Sequence, residues 1–180
     1  MDQMSRIKNA IERMVKVIEH SPSVGRVTKK ATARMVDGLK IEVQEGEFKL
    51  ISDMPEVLGG SNAGPSAGAF ARMSLGACLV QGYAMWLSRM DVPFDEIDVE
   101  VEGDLDQAGM LGVNDEAPPG HESLRVKVNI TSKAPQAEIE RVLELADRHS
   151  PVLHLIAQPV PVTRELKLMA PEAKPAAMAT

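Results

Sequence analysis

The chain has 180 residues, 44 % hydrophobic and 26 % charged, with a net charge of −6, the size of one ordinary domain that buries roughly 70 % of its unfolded surface without staples. No run approaches the ~18 apolar residues of a spanning helix, and Met1-Asp2-Gln3-Met4-Ser5-Arg6 leads into no signal-like apolar core, so the chain reads as cytoplasmic with no membrane partner. The acidic balance and 3 % aromatic content argue against a nucleic-acid partner, and a single cysteine excludes an internal disulfide or a multi-cysteine metal site.

Residues 1–20 predict an amphipathic helix. Ile7, Ile11, Met14, Val15 and Ile18 recur at helical spacing, Arg6, Lys8, Glu12 and Arg13 face away, and Pro22 ends it. From Val27 to Ser52 the period changes toward two. Leu39, Ile41 and Val43 alternate with Lys40, Glu42 and Gln44, and Phe48 and Leu50 flank Lys49 after the Glu45-Gly46 turn. Asp37-Gly38 marks an earlier turn, giving a meander of about three strands.

Gly59-Gly60-Ser61-Asn62-Ala63-Gly64-Pro65 breaks the chain, Ser66 stands where an N-cap belongs, and a helix follows to about Met90. Phe70, Met73, Leu75, Leu79, Val80, Tyr83, Met85, Trp86, Leu87 and Met90 leave it no consistently polar face, which predicts a central helix buried all round. Gly64-Pro65-Ser66-Ala67-Gly68 matches the G-x-S-x-G pattern. A nucleophile elbow needs a strand before the serine, however, and here a Gly/Ser/Asn loop precedes it, so Ser66 is read as a cap. The same glycines spell neither a P-loop nor a dinucleotide fingerprint.

Ile97, Val99 and Val101 alternate with carboxylates, and Leu124, Val126, Val128 and Ile130 alternate with Arg125, Lys127 and Asn129. The two strands are expected to pair through opposite charges. Asp104 to His121 reads as a long loop of functional interest, with His121 solvated. Ile139, Val142, Leu143 and Ala146 define a second amphipathic helix ending near His149-Ser150-Pro151. A short apolar stretch, Val152 to Ala157, follows, then a last strand carrying Val160, Val162, Leu166 and Leu168, and a flexible tail over 170–180. This order predicts a single α+β domain over 1–180.

The eleven methionines are read as core filler, with an adaptable binding surface as the alternative. His149 and His154 lie five apart, off the spacing of a helical metal pair, so no metal is expected. Cys78 sits mid-way along the central helix with Ser74, Gln81 and Gly82 as its helical neighbours. The polar pair could hydrogen-bond a thiolate; an inert core thiol is the other reading.

Pro55-Glu56-Val57-Leu58-Gly59-Gly60, then Gly64-Pro65-Ser66, then Leu75-Gly76-Ala77-Cys78 on a long helix, together with Ser150-Pro151-Val152 and the Pro159-Val160-Pro161-Val162 strand, resemble the OsmC/Ohr family (osmotically inducible protein C and organic hydroperoxide resistance protein) over residues 28–169. The resemblance implies an intertwined homodimer whose curved antiparallel sheets wrap a long buried central helix, with sites at the subunit interface. It also implies an attacking cysteine at Cys78, a second cysteine, and an Arg/Glu pair holding thiolate and peroxide. This chain has Ser150 in place of the second cysteine. It has Gly68 or Ala69 where the glutamate falls, and Val36 near the arginine position, with Arg34 two residues away.

Two expectations follow. One is a one-cysteine, thiol-dependent redox or organic hydroperoxide-responsive protein with weak peroxidase activity through Cys78. It would bind no cofactor and be regenerated by an external thiol or dithiol. The other is a non-catalytic dimeric binding protein with an apolar interface pocket for a hydrophobic hydroperoxide or other small apolar ligand. An activated thiol needs a cationic neighbour. Arg34, Arg72 and Arg164 are the candidates, Arg164 being the odd charge on the inward-facing register of the last strand.

Overall fold

Helix α1 (Gln3–His20) begins at an Asp2 cap whose carboxylate accepts from Ser5 N at 2.8 Å. The computed structural model describes residues 2–170. Strands β1 (Ala31–Asp37), β2 (Lys40–Glu45) and β3 (Phe48–Ser52) form an antiparallel sheet in that order. Its two tight turns place Gly38 (φ 52°) and Gly46 (φ 58°) first among the loop residues, the position at which a type II′ hairpin turn requires positive φ. Arg34 faces Glu42 in register, and Lys49 pairs with Glu42 at 3.4 Å. This sheet is open on both sides. Every residue of β1 is exposed, and Met35, Phe48 and Leu50 stand in solvent.

Residues 53–66 wind back onto the end of β3. Asp53, almost fully buried, accepts at Oδ2 from Ser61 N, Ser61 Oγ (2.7 Å) and Ala63 N, and at Oδ1 from Met54 N. Ser52 Oγ and Asp53 N both donate to Pro65 O, which fixes where the next helix starts. The winding is tight enough that a Cβ on Gly60 would lie 1.9 Å from Met54 O.

Helix α2 (Ala67–Arg89) starts at Ser66, whose Oγ accepts from Ala69 N at 3.3 Å, so this serine caps the helix and no strand leads directly into it. The helix closes with Asp91 in the left-handed region (φ 57°), Val92 N donating to Leu87 O and Lys8 of α1 paired with Asp91. Strands β4 (Glu96–Leu105) and β5 (His121–Thr131) form a second antiparallel sheet. The pairing is as anticipated: Val99 faces Val128, Val101 faces Val126, and Glu100 and Glu102 pair with Lys127 and Arg125, each at 3.3 Å. A four-residue helix α3 (Gln107–Met110) occupies part of the connecting loop. Helices α4 (Gln136–Arg148) and α5 (Pro151–Ala157) complete the described elements.

The core is a stripe at a spacing of four along α2, Leu75, Leu79, Tyr83 and Leu87, meeting Val92 and the Val142 and Ala146 of α4. Ile97, Val99, Val101, Leu124, Val128 and Ile130 close it from the β4–β5 sheet. Tyr83 Oη donates to Asp147 Oδ1 at 2.9 Å; burial and that carboxylate push the phenol pKa up.

Three expectations need correction. The central helix is buried on one face only within the chain: Ala67, Ala71, Ser74, Ala77, Gln81 and Met85 are exposed, because the elements of one chain cover a single side. Residues 159–170 form no strand, since no described strand edge pairs with them; Val162, Leu166 and Leu168 stand exposed. His121 is the first residue of β5 and is partly buried. The flexible-tail expectation for 170–180 falls, beyond Ala170, outside the described residues. Among the described residues no helix is long and apolar enough to cross a membrane.

The Asp53 loop gives a direct test. Hydrogen bonds from Ser61, Ala63 and Met54 hold its carboxyl down to about 2 from 3.8. A depressed folded-state pKa contributes stability fully above the unfolded value and loses it as pH falls through the folded one. Asp53→Asn should therefore lower stability near neutral pH and flatten the acid loss between pH 3.8 and about 2, measured by denaturant melts across that range. Gly60→Ala should cost at least about 2 kcal/mol by the same melts, since the clash is with backbone.

Candidate functional site

Cys78 lies mid-way along α2, partly buried, and its Sγ is 3.3 Å from Ser150 Oγ. Position 150 is set by backbone geometry. Helix α4 ends at Arg148, Pro151 at the first turn of α5 fixes the helical start, and Ser150 is its N-cap, with Oγ accepting from Leu153 N at 3.4 Å. Ser150 is 5 % exposed. The buried hydroxyl thus has two partners, the α5 amide and the sulfur. Its lone pairs serve Leu153 N, and toward Cys78 either the hydroxyl or the thiol can donate.

The other sequence candidates do not gather around the thiol. Ser74 and Gln81 are exposed on α2 and make no hydrogen bond with Sγ among the described residues. Arg34 is exposed on β1 opposite Glu42. Arg164 is exposed beyond α5, on no strand. Arg72 donates from Nη1 to His121 Nε2 at 3.1 Å. None of the three arginines meets Cys78, and among the described residues no cluster of His, Cys, Asp and Glu could hold a metal ion.

The Arg72–His121 pair is a feature that sequence reasoning missed. A guanidinium only donates, so Nε2 accepts, and the proton of the neutral ring sits on Nδ1. That Nδ1 is buried with no partner among the described residues, which costs about 1–3 kcal/mol. The ring lies over Gly103 of β4, where an added Cβ would be 2.8 Å from Nδ1. A bulge explains the miss. Asp104 faces Ser123 but Leu105 faces His121, so Glu122 is skipped. Strict alternation puts His121 outward with Ser123 and Arg125; the extra residue returns it to the side of Leu124.

A ring pair flanks the α4–α5 turn. His149, beside Ser150, stacks on Trp86 of α2 with ring centroids 5.0 Å apart and planes at 23°, and the Arg89 guanidinium stands 5.0 Å from the Trp86 ring. These contacts lock the α4–α5 junction against α2 and hold Ser150 to Cys78. His149 is therefore a packing residue against Trp86.

Comparison with known proteins places the fold. Residues 59–165 match the family model described as OsmC-like protein. An OsmC-like protein from Mycoplasma pneumoniae superposes with a TM-score of 0.63 at 14 % identity, covering 73 % of this chain and 88 % of that one. The organic hydroperoxide resistance protein OsmC of Legionella pneumophila gives 0.54 at 20 % identity, covering 72 % and 89 %. An organic hydroperoxide resistance protein from Elizabethkingia anophelis, with thiocyanate bound, gives 0.53 at 19 % identity, covering 72 % and 87 %. No curated protein matches the chain at a significant level.

The Cys78–Ser150 contact yields two expectations. Ser150→Cys should allow a disulfide to Cys78 under mild oxidation, read as loss of two hydrogens by intact mass, because the two side chains already touch; a bridge that never forms would mean Cα atoms more than ~7 Å apart or side chains aimed apart. Ser150→Ala removes the cap and should cost roughly 0.5–2 kcal/mol in a denaturant melt.

Proposed function

The chain belongs to the OsmC-like protein family, and on that footing we propose that it is a one-cysteine, thiol-dependent protein that reduces organic hydroperoxides slowly through Cys78, working as a homodimer. The observation that carries this reading is the contact between the lone cysteine and a buried hydroxyl. The hydroxyl lies within hydrogen-bond reach of the sulfur, and it cannot close a disulfide.

The chemistry balances with one co-reactant class. The Cys78 thiolate attacks the distal oxygen of ROOH. The O–O bond breaks, the sulfur is oxidised to the sulfenic acid, and the alkoxide takes a proton and leaves as ROH. An external thiol R′SH then condenses with the sulfenic acid, releasing water and forming a mixed disulfide. A second R′SH, or the other arm of a dithiol, attacks that disulfide, restores Cys78 and leaves as the oxidised disulfide. Net, ROOH and two thiols become ROH, water and one disulfide. No bound cofactor enters. A reducing compartment such as the cytoplasm supplies the thiol. With no cation at the sulfur among the described residues, stabilisation of the leaving oxygen is weak, and each missing donor costs on the order of 10²–10³ in rate.

The dimer is supported by what one chain leaves open. The exposed area is 14154 Å², against about 8,500 Å² for a compact monomer of this mass. The uncovered faces of α2 and of the β1–β3 sheet, with the unpaired apolar run at 160–168, are surfaces that a second copy would bury.

The commitment of Arg72 to His121 favours a second reading, a non-catalytic dimeric binding protein. Cumene hydroperoxide consumption with excess dithiol separates the two. The peroxidase reading expects wild type to exceed Cys78→Ser, with a sulfenic acid or mixed disulfide on Cys78 by mass spectrometry. Equal inactivity, with Cys78 resisting alkylation until the protein unfolds, leaves the binding reading. Light scattering at micromolar concentration should give the mass of two chains; a monomer would refute the dimer.

A further inference from the structure

Arg72 carries a charge that the described residues do not answer. It is half-buried, makes no ion pair among the described residues, and spends its Nη1 contact on an imidazole that must be neutral to accept. A partly buried charge without a counter-ion is costly. The guanidinium nevertheless lines a cleft of ≈ 570 Å³ between α2, β5 and α5, whose walls are mostly apolar. That volume is within the range of small-molecule sites, which pair apolar walls with a few orienting polar groups.

We propose that this cleft binds an amphipathic monocarboxylate, its carboxylate on Arg72 and its hydrocarbon tail along Leu75, Leu124, Val126, Leu153 and Ile156. Three observations fix the class. Among the described residues the cleft lining holds one cation, Arg72, with no carboxylate in ion-pair range, so one anionic group of a ligand answers it. Glu122, exposed at the rim where the β5 bulge pushes it outward, opposes a second. The guanidinium retains four N–H groups beyond the one given to His121, enough for a two-point grip on a planar carboxylate. Gly103 contributes by leaving room for the His121 ring, which holds Arg72 at the mouth. The site needs nothing from Cys78 sulfur chemistry, so it stands whichever reading of that residue holds.

Calorimetric titration of the full chain with sodium octanoate tests it. Saturable binding of one octanoate per chain is expected, with 1-octanol and sodium butyrate each at least tenfold weaker. Arg72→Gln should weaken octanoate roughly ten- to a hundredfold, the range for a hydrogen bond to a charged group. Arg72→Lys should recover part of that loss, and Arg26→Gln, on the exposed segment before β1, should change nothing. Should Arg72→Gln not fold, the wild-type His121 ring resonances decide, and these should shift with octanoate and not with octanol. Absence of saturable binding, equal affinity for octanol, an Arg72→Gln variant that binds like wild type, or unmoved His121 resonances would each overturn the proposal. Octyl phosphate binding more tightly than octanoate would overturn the monocarboxylate assignment.

Discussion

The core of this chain is organised on the Leu75–Leu79–Tyr83–Leu87 stripe of α2. Helix α4, the β4–β5 sheet and α5 pack on that stripe or beside it, and α1 is tied to the end of the same helix through Lys8 and Asp91. A helix covered on one side and apolar on the other is an incomplete burial, and hydrophobic area left in water forfeits about 25 cal/mol per Å². The open face of α2 therefore sets the requirement that the rest of the molecule leaves unmet. The β1–β3 sheet shows the same shortfall, since three strands need a packed face for independent stability.

Most elements were legible because their signals are local. The alternation on β4 and β5, with opposite charges on the outer faces, marked the two strands as partners and set which face is inward, because a slip of one would turn every valine outward. Gly38 and Gly46 announced their hairpins through a turn geometry that glycine adopts without strain. The run at 160–168 misled for the complementary reason. Alternation specifies which face of a strand is apolar, but a strand exists only where another edge accepts its hydrogen bonds, and a pattern carries no record of its partner.

Half of the candidate site was readable. Cys78 and Ser150 were singled out from positions far apart in sequence, and the fold brings Sγ and Oγ to 3.3 Å. The arginines were harder, because charge says nothing of direction. Arg72 meets His121 only because one extra residue in β5 reverses the alternation, and bulges have no dependable mark in a single sequence. The packing of His149 on Trp86 was equally unreadable, since it depends on how α4 and α5 meet α2.

Position 150 illustrates how narrow the permitted alphabet becomes when one side chain answers to two neighbours. Capping α5 restricts the choice to short residues with an acceptor: serine, threonine, asparagine or aspartate. The sulfur restricts it again, because aspartate would set a carboxylate directly against Cys78 Sγ. Cysteine would offer sulfur a covalent partner while giving up a good cap, so a chain that trades one for the other changes its helix terminus and its redox repertoire in a single codon. Serine keeps the helix end and confines any oxidation to one sulfur.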